Sequence, residues 1–253
     1  MRLDRFLCDS GIAGRRDLKK YIKSGRAQID GKTVTEPEAK FDPEISAVTF
    51  DGQRVEYKRF HYFMMNKPAG VLSATEDRKQ NTVLDLLSEQ HKRFDLFPVG
   101  RLDKDTTGLL ILTDDGDYAH RVISPKSGVK KRYYAVVEGT PGQEHVKAFK
   151  QGIELGDGLK CLPAELEIIG ENRVIVTVEE GKFHQVKRML AACGTPVLEL
   201  KRLSTGSIIL DKDLAPGEYR ELTATEAEEA FRQVDKFDAE ILKPILTNRI
   251  LIP

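Results

Sequence analysis

Apolar positions change period several times along this chain, and the changes divide it into parts. Leu3, Phe6 and Leu7 recur at helical spacing, and Leu18, Tyr21 and Ile22 form one face of a second short helix over residues 17–24, ended by Gly25. Residues 27–34, AQIDGKTV, then predict a β-hairpin, because Asp30-Gly31 suits a two-residue turn with both central residues at positive φ. Polar residues 56–59 precede the apolar run 61–65 and predict a linker. Beyond it, the continuous apolar run Leu109, Leu110, Ile111, Leu112 predicts a buried strand closed by Asp114-Asp115-Gly116. Residues 133–139, 173–180 and 207–211 predict further strands, and 83–90 and 144–153 predict helices. Val186, Met189, Leu190 and Cys193 share a helical face. Strand signals outnumber helical ones without regular βαβ alternation, so the expected class is α+β with a mixed or antiparallel sheet. The expected boundaries are 1–58 for a small first domain of helices plus a hairpin, 60–230 for the main domain, and 231–253 for a helix and loose tail.

Composition narrows the class. The chain has 253 residues, 40% hydrophobic and 32% charged, which is ordinary for a soluble protein with a proper core. Its formal net charge is zero, so affinity for a polyanion has to come from local clusters. One such cluster is present: residues 1–32 hold nine Lys or Arg against four Asp, a local charge of +5. Arg15, Arg16, Lys19, Lys20 and Lys23 gather opposite the apolar face of the second helix, with Arg26 and Lys32 beside the hairpin. A solvated helix face is the plain alternative. Three widely separated cysteines, Cys8, Cys161 and Cys193, form no CxxC pair, so neither disulfides nor a structural zinc is expected. The charged start MRLDR and the lack of any long apolar run predict no signal peptide, no membrane span and a cytoplasmic location, with monomer as the default.

The densest chemistry lies in residues 99–116, VGRLDKDTTGLLILTDDG, where Asp103 and Asp105 sit in a loop leading into the core. Three readings compete there. A calcium loop lacks flanking helices and has an apolar second half. A phosphatase-type DxDxT loop needs the apolar strand before its first acid, whereas here the strong run follows. An Asp capping a turn is the structural alternative. A second constellation, residues 180–190 (EGKFHQVKRML), is a core-packed helix with Lys187 at the edge of its apolar face, placed to pair with a buried carboxylate, and Arg188 nearly opposite. His184 has no partner at metal-ligand spacing and reads as a hydrogen-bonding or RNA-facing group. In the third, Lys130-Lys131-Arg132-Tyr133-Tyr134, cations run into an aromatic strand; it reads either as plain β-propensity or as a phosphate-and-stacking surface.

Taken together, GRLDKDTTGLL, the preceding Asn66-Lys67-Pro68-Ala69-Gly70, and the following KRYYAVVEG and EGKFHQVKRML closely resemble the RsuA-type pseudouridine synthases. Residues 1–34, with LDRFL and GRRDLKKYIKSGRAQIDGKTV, resemble the S4 RNA-binding domain that such enzymes carry, and the similarity runs on to about Thr223. The resemblance implies a cofactor-free, metal-free isomerase that detaches uracil at N1 and rejoins it through C5, acting on ribosomal RNA or an assembling subunit. Asp103 matches the essential aspartate, which either attacks the ribose carbon or removes a sugar proton. Tyr133 matches the active-site tyrosine that packs on the target base, Lys187 the basic partner that keeps Asp103 ionised, and Arg101 the arginine that helps hold the everted nucleotide. The implied RNA-contacting set adds Lys131, His184, Gln185 and Arg188, together with Arg15, Arg16, Lys19, Lys20, Lys23 and Arg26. The 16S RNA of the small subunit is the expected substrate. The alternatives are 23S RNA or a non-catalytic assembly factor.

Overall fold

The computed structural model describes residues 1–56 and 58–232, and the chain divides into two compact units. One comprises Met1–His61 and Leu87–Leu96; the other comprises Tyr62–Leu86 and the chain from Phe97. The division near residue 61 lies close to the expected linker. The return of residues 87–96 to the first unit was not legible, and it is marked by Phe94 stacking on His61 at 3.7 Å between ring centroids.

The first unit begins with α1 (Leu3–Asp9) and α2 (Arg15–Lys23). Strands β1 (Ala27–Ile29), β2 (Lys32–Val34), β3 (Val48–Phe50) and β4 (Gln53–Val55) follow, in the antiparallel order β2-β1-β3-β4. The expected hairpin turns through Asp30 and Gly31 at φ 50° and 75°, and Asp51-Gly52 repeats that turn between β3 and β4 at φ 50° and 78°. Leu3, Phe6, Leu7, Leu18 and Ile22 from the helices bury against Ala27, Val48 and Phe50 of the sheet. Burying Leu18 and Ile22 fixes the roll of α2 and turns its cations outward.

The second unit contains β5 (Tyr62–Lys67), β6 (Phe97–Pro98), β7 (Thr107–Thr113), α3 (Gly116–Ile123), β8 (Lys131–Val137) and α4 (Gln143–Gln151). It continues with β9 (Glu165–Gly170), β10 (Arg173–Val178), α5 (Gln185–Ala192), β11 (Val197–Thr205), β12 (Ile208–Ile209), β13 (Tyr219–Glu221) and α6 (Ala224–Glu228). The sheet runs β13-β5-β7-β11-β8-β10-β9, with β6 against β7 and β12 against β11. Only β7 and β11 pair in parallel among these described strands, so the sheet is mixed, as expected for the α+β class.

Both faces of the sheet are covered. Leu109 and Ile111 of β7 pack with Tyr118, Ala119 and Val122 of α3 and Ala227 of α6. Ala135, Val137, Val174 and Val176 pack with Phe149 of α4 and Met189 and Leu190 of α5. Burial on two sides explains why β7 is a continuous apolar run rather than an alternating one.

Two expectations need correction. Residues 83–90 form only a 3-10 turn, Val83–Leu86, closed by the Asp85 carboxylate accepting from the Thr82 amide at 2.7 Å. The predicted turn after β7 is also a helix start, because the Asp115 carboxylate caps α3 by accepting from the Tyr118 amide at 3.0 Å. The helix-and-tail expectation for 231–253 falls, from residue 233 on, outside the described residues; Phe231 itself ends a short 3-10 turn.

Candidate active site

Asp103 lies in the loop between β6 and β7, and the loop is anchored from below. Lys67, at the end of β5, is fully buried. Its ammonium donates to the carbonyls of Pro68 at 3.0 Å, Lys104 at 3.2 Å and Thr106 at 3.0 Å. The Gly70 amide donates to the same Lys104 carbonyl at 2.8 Å, and the Ser73 hydroxyl donates to the Leu102 carbonyl at 2.9 Å. Burial pulls the Lys67 pKa down to about 8, with the nearby Asp105 and Asp103 charges opposing the shift. The ammonium ties the Lys104 and Thr106 carbonyls to that of Pro68, and with the Ser73 contact to Leu102 it holds the backbone of residues 102–106 in a single path. Directly after the loop, Gly108 has φ 97°, and a Cβ there would run into the Arg202 carbonyl of β11. The first turn of β7 therefore needs glycine to reach its parallel partner.

The loop presents Asp103 to a cluster on α5 and its approach. The Lys187 ammonium lies 3.1 Å from Asp103 Oδ2 and 2.5 Å from Asp105 Oδ1, and His184 Nε2 lies 3.4 Å from Asp103 Oδ1. Burial pulls the Lys187 pKa down, but hydrogen bonds to Asp105 and Asp103 and their charges outweigh it and hold the group above its ordinary value. The same hydrogen bond pulls the Asp105 carboxyl below its usual range. His184 caps α5 in the left-handed region at φ 49° and ψ 32°, a costly conformation for a residue with a side chain. It is held there by a strut one step away. The buried Glu180 carboxylate accepts from the Gln185 side-chain amide at 2.8 Å and the Leu162 backbone amide at 2.9 Å, and pairs with Lys182 at 3.0 Å.

A cleft of about 420 Å³ opens over Asp103, lined among others by Arg101, Thr106, Tyr133, Lys182, His184 and Leu200. Tyr133 reaches it because β8 brings that residue opposite Arg202 of β11 on one side and Val176 of β10 on the other. The cleft thus offers a carboxylate, an aromatic ring and an exposed guanidinium around a space open to solvent. Such a site can hold a planar base and act on the carbon or proton next to it.

Asp103, Tyr133, Arg101 and His184 all line this cleft, and Lys187 touches Asp103. Gln185 also borders the cleft, but it is buried, and its side chain is engaged by Glu180 and by the Lys182 amide at 2.9 Å. Two residues expected on the RNA side are placed differently. Lys131 is buried; its ammonium donates to the Glu179 carbonyl at 3.3 Å, and burial, helped by Arg202, lowers its pKa to about 8. It starts β8 two residues before the expected strand, and that shift carries it into the sheet. Arg188 pairs with Asp157 at 2.6 Å on the far side of α5, in keeping with its opposite position on the wheel.

In the first unit Arg15, Arg16, Lys19, Lys20 and Lys23 are exposed on α2. Arg26 is spoken for: it meets Asp51 through Nε at 2.8 Å and Nη2 at 2.5 Å, and its guanidinium lies 4.2 Å from the Tyr21 ring centre. Lys67, Ser73 and Glu180 carry no role in the sequence reading. The signal for Lys67 was an isolated lysine ending an apolar strand just before Pro68.

The geometry defines an open cleft around a paired carboxylate, and comparison with known proteins names the class: the chain belongs to the RNA pseudouridylate synthase family, whose sequence profile matches residues 61–192. The S4 domain profile matches residues 1–44. An uncharacterized RNA pseudouridine synthase of Bacillus subtilis is 47% identical over 89% of this chain and 96% of its own length. The ribosomal small subunit pseudouridine synthase A of Vibrio cholerae is 44% identical over 89% of this chain and 97% of its own. A crystal structure of a pseudouridylate synthase, 34% identical, superposes with a TM-score of 0.64 over 91% of this chain and 99% of that one. The chain is accordingly an RNA pseudouridine synthase, an isomerase. Among its described residues no helix is long and apolar enough to cross a membrane.

Proposed function

We propose that this enzyme converts one uridine of small-subunit ribosomal RNA to pseudouridine, working as a monomer on an assembling subunit in the cytoplasm. The observation that carries the reading is the Asp103 carboxylate, set in an open cleft with Lys187 3.1 Å from one oxygen and His184 3.4 Å from the other. The small-subunit assignment is supported by the V. cholerae relative and by an Escherichia coli namesake at 40% identity. In the reaction the C1′–N1 bond breaks, uracil turns, and C1′ bonds to C5; C5 loses its proton and N1 gains one, so the sum is redox-neutral. Asp103 acts at the sugar, either on C1′ or on a sugar proton. Tyr133 packs on the base and faces the proton lost at C5. Lys187 positions the carboxylate, and Arg101 binds phosphate beside the everted nucleotide. The exposed cations of α2 grip the folded RNA while the cleft takes one base.

The test is to incubate the protein with 16S and 23S transcripts, free and in precursor subunits, and to map pseudouridine by carbodiimide primer extension. One new stop in 16S RNA is expected. With Asp103→Asn the stop disappears, turnover falling by at least about 10³-fold, while RNA affinity stays within about twofold. A stop confined to 23S RNA moves the substrate to the large subunit. No stop in either, with RNA still bound, overturns the catalytic assignment.

A further inference from the structure

Phe183 lies between two residues that line the cleft, Lys182 and His184, with 75% of its surface exposed, and no other Phe or Tyr among the described residues is exposed. Its ring is not adrift. It stacks on the His184 imidazole with centroids 3.8 Å apart and planes 20° from parallel. His184 in turn reaches Asp103 at 3.4 Å, so two rings lead in series from the reacting carboxylate to solvent. Their separation is close to the ~3.4 Å rise of one nucleotide in a stacked strand. The stack is held by the left-handed backbone of His184 and by the Glu180–Gln185 strut behind it. Lys182 and Arg101 flank the same opening. An open aromatic face beside cations, at the mouth of a site that must pull one base out of an RNA strand, matches the way single-stranded RNA is held.

We propose that the outer face of Phe183 stacks a base adjacent in sequence to the target uridine. Phe183 is then a substrate-binding residue that holds the strand open on one side of the cleft. The inference rests on the pseudouridine synthase reading of the cleft, and its test is read by binding, so the two can fail separately. The probe is a single-stranded RNA 12-mer with one central uridine and 2-aminopurine on each side, titrated into the Asp103→Asn protein by fluorescence. Stacking quenches the 2-aminopurine emission. Adding Phe183→Leu, which keeps apolar bulk but removes the ring face, is expected to abolish the quench and raise Kd roughly tenfold. Phe183→Trp restores both. In the active protein, on whichever RNA the mapping identifies, the loss from Phe183→Leu falls on KM rather than kcat. An unchanged quench and Kd in the leucine variant overturns the proposal. So does a fall in kcat with KM unmoved, which would leave Phe183 only as a support for His184. Catalytic inactivity of the parent protein on every RNA, with the quench intact, removes the enzymatic reading and leaves the stacking site standing.

Discussion

Lys19 and Lys187 both sit on short amphipathic helices, and their surroundings are opposite. Lys19 lies on the outer face of α2, exposed beside Arg15, Arg16 and Lys23, none of which makes an ion pair among the described residues. Lys187 lies at the edge of the packed face of α5 and holds two carboxylates at 3.1 and 2.5 Å. In water an exposed charge is screened within about 10 Å at 0.1 M salt, so the α2 cations act as a sum and no single one is decisive. A half-buried ammonium is screened far less, and its position counts to a fraction of an ångström. The proposed function therefore assigns the same residue type to affinity in one unit and to geometry in the other.

The contrast can be broken at its strong end first. Lys187→Met keeps the helix face apolar but frees Asp103 and Asp105, and a fall in kcat of roughly 10²-fold is expected with RNA affinity nearly unchanged. Single-turnover kinetics at saturating RNA measures it, and a loss in KM alone would make Lys187 another affinity cation. Neutralising Arg15, Lys19 and Lys23 together should do the reverse: roughly three- to tenfold weaker binding at 0.1 M salt, and a log Kd against log salt slope flatter by about 2. An unaltered slope in a salt titration would show α2 to be solvated surface only.

The smallest effect sharpens the comparison with a third lysine. Lys67 has its pKa lowered to about 8 in the folded protein, against 10.5 unperturbed, so between those values the unfolded chain binds more protons. Burying its charge thus costs stability below pH 8, and the cost recedes as pH rises toward 10.5. Relative to Lys67→Met, the wild-type protein should gain a urea midpoint shift of roughly 0.5 M between pH 7.5 and 9.5. Parallel pH profiles for the two proteins would mean that the three carbonyls fully compensate the buried charge.

What could be read in the sequence was what depends on local period and local turn chemistry. Residues 109–112 were legible as a strand because burial on both sides demands an unbroken apolar run, and the first hairpin because Asp30-Gly31 satisfies a turn that few other pairs can. The second hairpin carries the same signal at Asp51-Gly52, between strands of the same three-residue length, and is absent from the sequence reading. Asp103, Tyr133 and Lys187 were assigned by family resemblance, with wheel geometry supporting Lys187. Lys67, Ser73 and Glu180 were not found, since their work is done on backbone carbonyls and on another side chain, contacts that leave no periodic trace. The inward turn of Lys131 was hidden for a related reason. A lysine at the edge of a strand looks the same in sequence whether its ammonium meets water or the Glu179 carbonyl.

The parallel seam between β7 and β11 has a consequence in time. Arg202, buried in β11, donates from Nε to the Leu109 carbonyl at 2.7 Å across 93 residues of chain. Lys187 comes 82 residues after Asp105. During synthesis at roughly 5–20 residues per second, the aspartate loop exists for about 5–20 s before the strand that brackets it has been made. Helices α1 and α2, whose cations are proposed to bind RNA, are synthesised well before β11 completes the cleft, so on the proposed reading the nascent chain acquires its means of binding before its means of catalysis.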